Sequence, residues 1–240
     1  MIIKNESDLF SLRFILNEVL TRYVKESRLI FSHNKLAHQI RNEFPTAISK
    51  ILNYRYKVSG SAGISKWAKV PWFGIFDKDI CVSAQGGYDV VYLFAQDMQG
   101  VYLSVNQGYT YFRQTFKRPN IAISDVADYW KNQLENLPDR FSFDEIFLCS
   151  QKNKTTSSVL PRGYVKGNIC SVYYSIDNLP QEDELLNDLY NALSILSEIK
   201  SKLIGLDYKH TNKFILSQTK SAKEPKVTKD EKQFENELNF

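Results

Sequence analysis

The chain has 240 residues, of which 43% are hydrophobic and 13% aromatic, and a net charge of +4. This hydrophobic content excludes a globally disordered protein and is sufficient for the core of one large domain. The mild positive charge permits nucleic acid as a partner without requiring it. No apolar run reaches the length that spans a membrane, and the start of the chain lacks the pattern of a signal peptide. We therefore expect a protein of the cytoplasm with no membrane partner.

The cysteine and histidine content argues against a metal centre. The three cysteines, Cys81, Cys149 and Cys170, lie far apart in the sequence. No Cys-x-x-Cys or Cys/His spacing typical of zinc is present, and scattered thiols are by default reduced in a cytoplasm. We expect neither a bound metal nor another cofactor.

Helical periodicity predicts two helices near the start of the chain, over 7–31 and about 34–52. Ser7 is the expected N-cap of the first helix. Phe44-Pro45 is expected to break or restart the second, because proline lacks a backbone donor. Residues 1–60 carry ten Lys and Arg side chains against five Asp and Glu. This surplus fits either a solvated helical face or a basic surface for nucleic acid.

The middle of the chain predicts a sheet. Tyr88, Val90 and Tyr92 fall on one face of a predicted strand, and the alternate residues on the other face are also largely apolar. A strand with two apolar faces is expected well inside the sheet. The predicted strands cover 54–58, 70–76, 88–95, 100–105 and 168–176, with 88–95 and 100–105 joined as a hairpin. Residues 81–84 are a further candidate for a short strand, and 141–143 and 146–149 are either short strands or irregular.

Two further helices are predicted, over 123–137 and about 181–204, the second with a long leucine stripe. The predicted fold class is therefore α+β: a central, mostly antiparallel sheet with N-terminal helices and a long C-terminal helix packed on it. Beyond residue 205 the sequence becomes rich in lysine. We predict a domain at 1–205 and a flexible, Lys-rich extension at 206–240, which serves either as a linker to a partner or as a DNA-binding tail.

A loop of small residues follows the first predicted strand. The sequence from Ser59 to Trp67 has neither the spacing of a phosphate-binding P-loop nor a dinucleotide fingerprint. Its notable residues are the apolar Ile64 and the indole of Trp67, close to Lys66 and Lys69. Either these apolar side chains fold back onto the core, or they form a wedge flanked by phosphate contacts.

Motifs of catalysis are scarce. The chain contains no nucleophile elbow, no zinc-protease motif and no kinase signature. Glu198-Ile199-Lys200 imitates half of a nuclease carboxylate site, with Asp139 or Asp144 as the partner, although it falls on a predicted helix. We therefore expect no catalytic activity from the chain by itself.

The centre of the chain resembles the N-terminal DNA-binding domain family of McrB-type, modification-dependent restriction systems. The resemblance covers about 5–205 and is strongest over 58–108. It is carried, in this order and spacing, by Lys69-Val70-Pro71-Trp72-Phe73, Ser83-Ala84-Gln85, Gly87-Tyr88, Val91-Tyr92-Leu93-Phe94 and Val101-Tyr102-Leu103-Ser104-Val105-Asn106-Gln107-Gly108.

The resemblance implies a module that binds double-stranded DNA and flips a methylated cytosine into an aromatic pocket. In that family the domain is followed by a GTP-driven motor that works with a separate nuclease subunit. This chain has no Walker motif. The resemblance therefore implies a recognition module of a restriction or antiviral defence system, either the module alone or a subunit that works with motor or nuclease subunits encoded separately.

Residue by residue, the resemblance implies a base pocket formed by Trp72, Tyr88 and Tyr92. Tyr92 replaces an aliphatic pocket residue, which would alter the shape of the pocket and therefore either the modified base that it accepts or the orientation of that base. For the loop that enters DNA, Ile64 is the positional match of the wedge residue and Trp67 is the chemical alternative. The implied loop residues are Ser61, Ile64, Lys66, Trp67 and Lys69.

Two other functions remain open from the sequence. A protein-interaction or small-ligand module would use the same aromatic cleft without binding DNA. A metal-dependent nuclease would use the carboxylates named above.

Overall fold

The computed structural model describes residues 11–148 and 159–219. These residues form an α+β fold built on an antiparallel sheet of five strands in the order β1-β2-β3-β4-β5. This confirms the predicted fold class. The strands are Tyr56–Ser61 (β1), Trp72–Asp77 (β2), Tyr88–Phe94 (β3), Gly100–Gln107 (β4) and Cys170–Ser175 (β5).

The third strand is the middle of the sheet, as its two apolar faces predict. All seven residues of β3 are buried, and the strand pairs with β2 on one side and with β4 on the other. The turn between β3 and β4 has Met98 at φ 57°, and Ala95 and Gly100 close it with a 3.0 Å backbone hydrogen bond. The predicted hairpin is therefore present.

Helices surround the sheet. The observed bounds are Leu12–Glu26 (α1), Lys35–His38 (α2), Phe44–Ile51 (α3), Tyr109–Thr115 (α4), Pro119–Gln133 (α5), Val159–Gly167 (α6), Glu182–Ser201 (α7) and Tyr208–Ser217 (α8).

The first helix starts later and ends earlier than its periodicity predicts. Ser11 is its N-cap, accepting a 3.1 Å hydrogen bond from Phe14 N, whereas the predicted cap Ser7 lies outside the described residues. The carboxylate of Glu182, at the start of α7, accepts hydrogen bonds of 2.8 and 2.7 Å from the N–H groups of Leu12 and Arg13. A carboxylate satisfies these unpaired donors and opposes the positive end of the helix dipole, so it ties α1 to α7.

Phe44-Pro45 does not interrupt the second predicted helix. A π-helical turn over 39–43 joins α2 to α3, and the proline lies in the first turn of α3. A π turn changes the hydrogen-bonding period, so a chain can absorb a residue that lacks an N–H donor without breaking the helix. Of the two predicted outcomes, the restart is observed, because α3 begins at Phe44, whereas the helical segment as a whole is not broken.

The two faces of the sheet differ in what covers them. One face meets α1 and α7 and builds the main core, which includes Tyr88, Val90 and Tyr92 of β3. The other face carries a smaller apolar cluster around Val91 and Leu93, against which Ile146, Leu148 and residues of α6 pack. Alternate residues of β3 therefore serve two different environments.

Part of the stretch predicted as an extension is folded. Helix α8 packs on the core through Ile215 and Leu216, which are 1% and 3% exposed, and contacts α5. Asp207 caps the helix by accepting hydrogen bonds from Lys209 N and His210 N. The folded unit thus extends beyond the predicted boundary at 205, and residues 220–240 of the predicted extension lie outside the described residues.

Among the described residues, none of the helices combines the length and the hydropathy needed to cross a lipid bilayer.

Candidate functional site

The three aromatic residues predicted to share a pocket lie on opposite faces of the sheet. Trp72 pairs with Leu93, and its neighbour Phe73 pairs with Tyr92. Because successive strand residues point to opposite faces, Trp72 lies on the sparsely covered face, half-buried. Tyr88 and Tyr92 lie in the main core and are 0% exposed. The structure therefore does not bring Trp72 together with the two tyrosines.

Tyr88 is a packing residue that links the sheet to the C-terminal helices. Its hydroxyl donates a hydrogen bond to Oδ1 of Asn212 in α8, and its ring packs edge-on against Trp130, with centroids 5.5 Å apart. Burial raises the pKa of its phenol. Every polar and apolar part of this side chain is thus used within the fold.

Tyr92 is equally enclosed. Burial raises the pKa of its phenol well above the usual value, with a further contribution from Asp188. Among the described residues its hydroxyl has no hydrogen-bond partner. A buried hydroxyl without a partner costs stability, but it faces α7 and the core rather than a cleft open to a ligand.

A cleft does exist on the opposite face, beside Trp72. Six of the residues that line it are Trp72, Phe76, Asp89, Val91, Asn106 and Tyr164. The first five come from β2, β3 and β4, and Tyr164 comes from α6. Its enclosed volume is about 10 Å³, roughly the room of one water molecule. A larger ligand therefore requires the α6 wall to move away from the sheet.

Asp89 is the unusual residue of this cleft. It is 4% exposed, and within the described parts of the chain no group donates a hydrogen bond to its carboxyl. Burial raises its pKa to about 7. Buried carboxyl groups are normally paired or hydrogen-bonded, so this one has the acceptor capacity to bind a ligand.

Aromatic groups close the cleft. Burial and the nearby Asp89 raise the pKa of the Tyr164 phenol to about 12, and a hydrogen bond from the Trp72 indole opposes this rise. The indole, from β2, and the phenol, from α6, thus line the same cleft. The half-buried Trp72 ring offers a flat apolar surface of the kind on which a nucleobase stacks.

The polar wall beside Asp89 is fixed by hydrogen bonds. Asn106 donates 3.0 Å bonds to Ser104 Oγ and to the Tyr164 carbonyl, and its Oδ1 accepts a 2.8 Å bond from Gln107 N. An added Cβ on Gly167 would lie 2.5 Å from Asn106 Oδ1. The close approach of Gly167 therefore places α6 directly against the end of β4.

Sequence reasoning located Trp72 but missed Asp89 and Tyr164. The signal for Asp89 was a charged residue in a predicted central strand, where an unpaired charge is costly. Tyr164 had no usable signal, because α6 was not predicted.

The loop between β1 and β2 is held by Trp67. Its ring packs edge-on against Tyr23 and Phe31, with centroid distances of 5.1 and 5.2 Å, and its Nε1 donates a 3.0 Å hydrogen bond to the Leu29 carbonyl. The Tyr23 hydroxyl donates a 2.8 Å bond to the Ala68 carbonyl. Trp67 is therefore the anchor of the loop.

Ile64 is the exposed tip of the same loop. Its side chain is 93% exposed. The preceding Gly63 has φ 112°, a backbone conformation that residues other than glycine rarely adopt. Lys66 and Lys69 are also exposed. Ser61 lies in β1 opposite Trp72, and its Oγ accepts a 3.3 Å hydrogen bond from Gly63 N. The structure thus separates the anchor Trp67 from the free apolar tip.

A wide cleft of basic character adjoins the tip. It encloses about 710 Å³ between the segment that follows α1 and the loop that carries Ile64. Its cationic or titratable lining groups are His33, Lys35, His38 and Arg41. The only sequence signal for this basic cleft was the surplus of Lys and Arg in residues 1–60.

The groups of the nuclease hypothesis do not form a shared site: Asp139 and Asp144 are exposed, and Glu198 and Lys200 are engaged in other ion pairs. Lys200 contacts Asp77 and Asp79, while Glu198 pairs with Lys202 at 2.7 Å. Burial opposes ionisation of Asp77, but hydrogen bonds from Arg55 and Lys200 hold its pKa below the usual value. Within the described ranges, no group of three or more His, Cys, Asp or Glu side chains is placed to hold a metal ion.

Comparison with protein-family models gives a match to the MrcB-like N-terminal domain over residues 18–201. The match contains all five strands and both sides of the cleft beside Trp72. No curated protein matches the chain.

Proposed function

Because the chain belongs to the family of MrcB-like N-terminal domains, which supports a DNA-binding module of restriction systems, we propose that it recognises a modified cytosine flipped out of double-stranded DNA. The observation that carries this proposal is the cleft beside Trp72, which combines a half-buried indole with an unpaired carboxyl. The predicted pocket is thereby revised. Trp72 stays in it, Asp89 and Tyr164 join it, and Tyr88 and Tyr92 support it from the other side of the sheet.

The energetics of base flipping are compatible with this cleft. Extruding a base costs a few kcal/mol of stacking and pairing, and stacking on an aromatic side chain returns about 1–3 kcal/mol. Entry of the base separates Tyr164 from Trp72, because the closed cleft has room for only about one water molecule. The base then takes the place of the phenol against the indole.

The loop and the basic cleft supply the remaining contacts. Ile64 fills the gap that the extruded base leaves, as apolar wedges do in other DNA complexes. Phosphates of the same duplex lie along the basic cleft, where Lys35, Arg41 and the exposed Lys66 offer positive charge. A motor or a nuclease would convert recognition into restriction.

A binding panel tests this function. Duplexes that carry one unmodified, methylated, hydroxymethylated or glucosylated cytosine are titrated with the wild-type protein and with Trp72→Ala. We expect the wild type to prefer one modified duplex. We expect Trp72→Ala to lose most of that preference, because about 1–3 kcal/mol of stacking is removed, while the weaker binding to plain DNA persists.

Tyr92→Phe is the matched control, since its hydroxyl lies in the core. It should keep the wild-type preference. The proposal is wrong if Trp72→Ala, shown to be folded by circular dichroism, binds modified and plain duplexes in the wild-type ratio. Absence of DNA binding by the wild type at low salt would instead favour the protein-interaction or small-ligand module.

A further inference from the structure

The cleft beside Trp72 contains one carboxyl group, and the described residues leave its hydrogen-bonding capacity unused. Asp89 is 4% exposed and lines the cleft together with Trp72 and Tyr164. We propose that Asp89 determines specificity by accepting a hydrogen bond from the 4-amino group of the extruded cytosine. This inference rests on the proposed function, and it names the chemical edge of the base that the site recognises.

The other polar groups of the cleft are neutral, and several of them are engaged within the fold. Both donors and the acceptor of the Asn106 amide have partners in Ser104, Tyr164 and Gln107. The Trp72 indole is a donor only. Oε1 of Gln107 has no partner among the described residues, but its amide group donates to the carbonyls of Ile123 and Gly167. Phe76 and Val91 contribute no acceptor. A base that enters the cleft therefore finds in Asp89 the one carboxyl among the lining residues, and an ionised carboxyl is a stronger acceptor than an amide or a hydroxyl.

A carboxylate in this place favours a base with an N–H donor on its exposed edge. It accepts from the exocyclic amine of cytosine, as Asp and Glu do in the DNA grooves. A pyrimidine that presents only the N3 lone pair meets the carboxylate with repulsion. A neutral carboxylic acid differs, because it also donates one hydrogen bond and can satisfy N3.

Asp89 changes charge within the experimentally useful pH range. The titratable neighbours that its own charge affects are Cys81, from the segment between β2 and β3, and Tyr164, from α6. Burial raises the pKa of each to about 12. Both therefore stay neutral between pH 5 and pH 9, whereas burial brings the pKa of Asp89 to about 7. Discrimination between amino and deamino bases should consequently depend on pH.

The experiment compares two duplexes that differ by one amino group. One carries 5-methylcytosine opposite guanine, and the other carries 5-methylpyrimidin-2-one, its 4-deamino analogue. The affinity ratio of the two is measured for the wild type, Asp89→Leu and Asp89→Asn at pH 5.5 and pH 8. Because both duplexes share the same backbone, phosphate contacts and their own pH dependence cancel in the ratio.

For the wild type at pH 8 we expect a ratio roughly tenfold or more above that of Asp89→Leu, as for one good contact to a base edge. The deamino base pairs less well with guanine and therefore flips more easily. The affinity ratio measured with Asp89→Leu contains this difference in flipping but no contact with the Asp89 carboxyl, so it is the baseline for the wild type. At pH 5.5 the wild-type ratio should fall. Asp89→Asn should show a ratio that does not change with pH, since its amide donates and accepts at both values.

The inference is overturned if Asp89→Leu keeps the wild-type ratio. If Asp89→Leu does not fold, Asp89→Asn provides the test. The inference is then overturned if the affinity ratio of Asp89→Asn changes with pH in the same way as the ratio of the wild type. Asp139→Asn, which removes an exposed carboxylate, is the matched control and should behave as the wild type. Wild-type protein that binds neither duplex refutes the proposed function as well, so the two failures are distinguishable.

Discussion

Tyr88 and Asp89 are neighbours in β3, yet they serve different parts of the molecule. The tyrosine bonds to Asn212 within the core, and the carboxyl faces the cleft on the other side of the sheet. Alternation along a strand explains this division. It also explains why shifting a sequence alignment by one residue in this strand would exchange Tyr88, which packs in the core, for Asp89, which lines the cleft.

The unpaired carboxyl of Asp89 should lower stability at neutral and alkaline pH. Its pKa in the fold, about 7, lies above the value of about 4 for an unfolded chain. Between these values the folded state binds more protons than the unfolded state, so stability falls as pH rises. Asp89→Asn removes this effect and should be more stable than the wild type at pH 8 by at most a few kcal/mol, with a smaller gain at pH 5.

Urea unfolding of both proteins at the two pH values measures this difference. Asp139→Asn, which alters an exposed carboxylate, should change stability little at either pH. An Asp89→Asn gain of equal size at pH 5 and pH 8 would contradict the raised pKa.

At the level of elements, the sequence predicts the sheet better than it predicts the site. Alternation identified β3 as an inner strand, and the leucine stripe identified α7. The helix α6 was missed, although it supplies Tyr164, because Pro161 and two glycines within Val159–Gly167 weaken its helical pattern. The pairing of Trp72 with Leu93 determines the face of the sheet on which the indole lies. A pairing register depends on contacts between distant segments, so the local sequence pattern does not predict that face.

The loop between β1 and β2 divides anchoring from contact. Trp67→Ala should destabilise the protein by roughly 1–3 kcal/mol, less than a fully buried tryptophan, because the ring is only partly buried. Ile64→Ala should change stability by less than about 0.5 kcal/mol, as for other exposed residues. For DNA affinity we expect the opposite order: relative to the stability that each variant loses, Ile64→Ala should weaken binding more than Trp67→Ala. The reason is that we place Ile64 in the gap left by the flipped base.

Thermal unfolding and titration of the preferred modified duplex measure the two effects on each variant. Val82→Ala, which also shortens an exposed apolar side chain (52% exposed), is the control for Ile64→Ala. Loss of stability in Ile64→Ala, or full DNA affinity in that variant, would argue that the tip is not the wedge.

On the scale of the whole molecule, the features that we propose to face DNA gather where α1 ends and β2 begins. The basic cleft, the Ile64 tip and Trp72 all adjoin the loop between β1 and β2. At the other end of β2, Asp77 is neutralised by Arg55 and Lys200. Charge is therefore distributed unevenly although the net value is only +4, and an uneven distribution is what orients a protein on a polyanion.

This arrangement predicts a local effect of charge on the salt dependence of binding. Each phosphate contact contributes about 0.9 to the slope of log affinity against log salt. Lys35→Gln and Lys66→Gln should each reduce the slope by about that amount, and they should weaken binding to modified and plain duplexes alike, because phosphates carry no sequence information. Lys202→Gln, two residues from the Lys200 that binds Asp77, should leave the slope unchanged. DNA titrations at salt concentrations between 50 and 200 mM measure these slopes. Equal losses of slope in all three variants would mean that net charge, and not the basic cleft, sets the affinity for DNA.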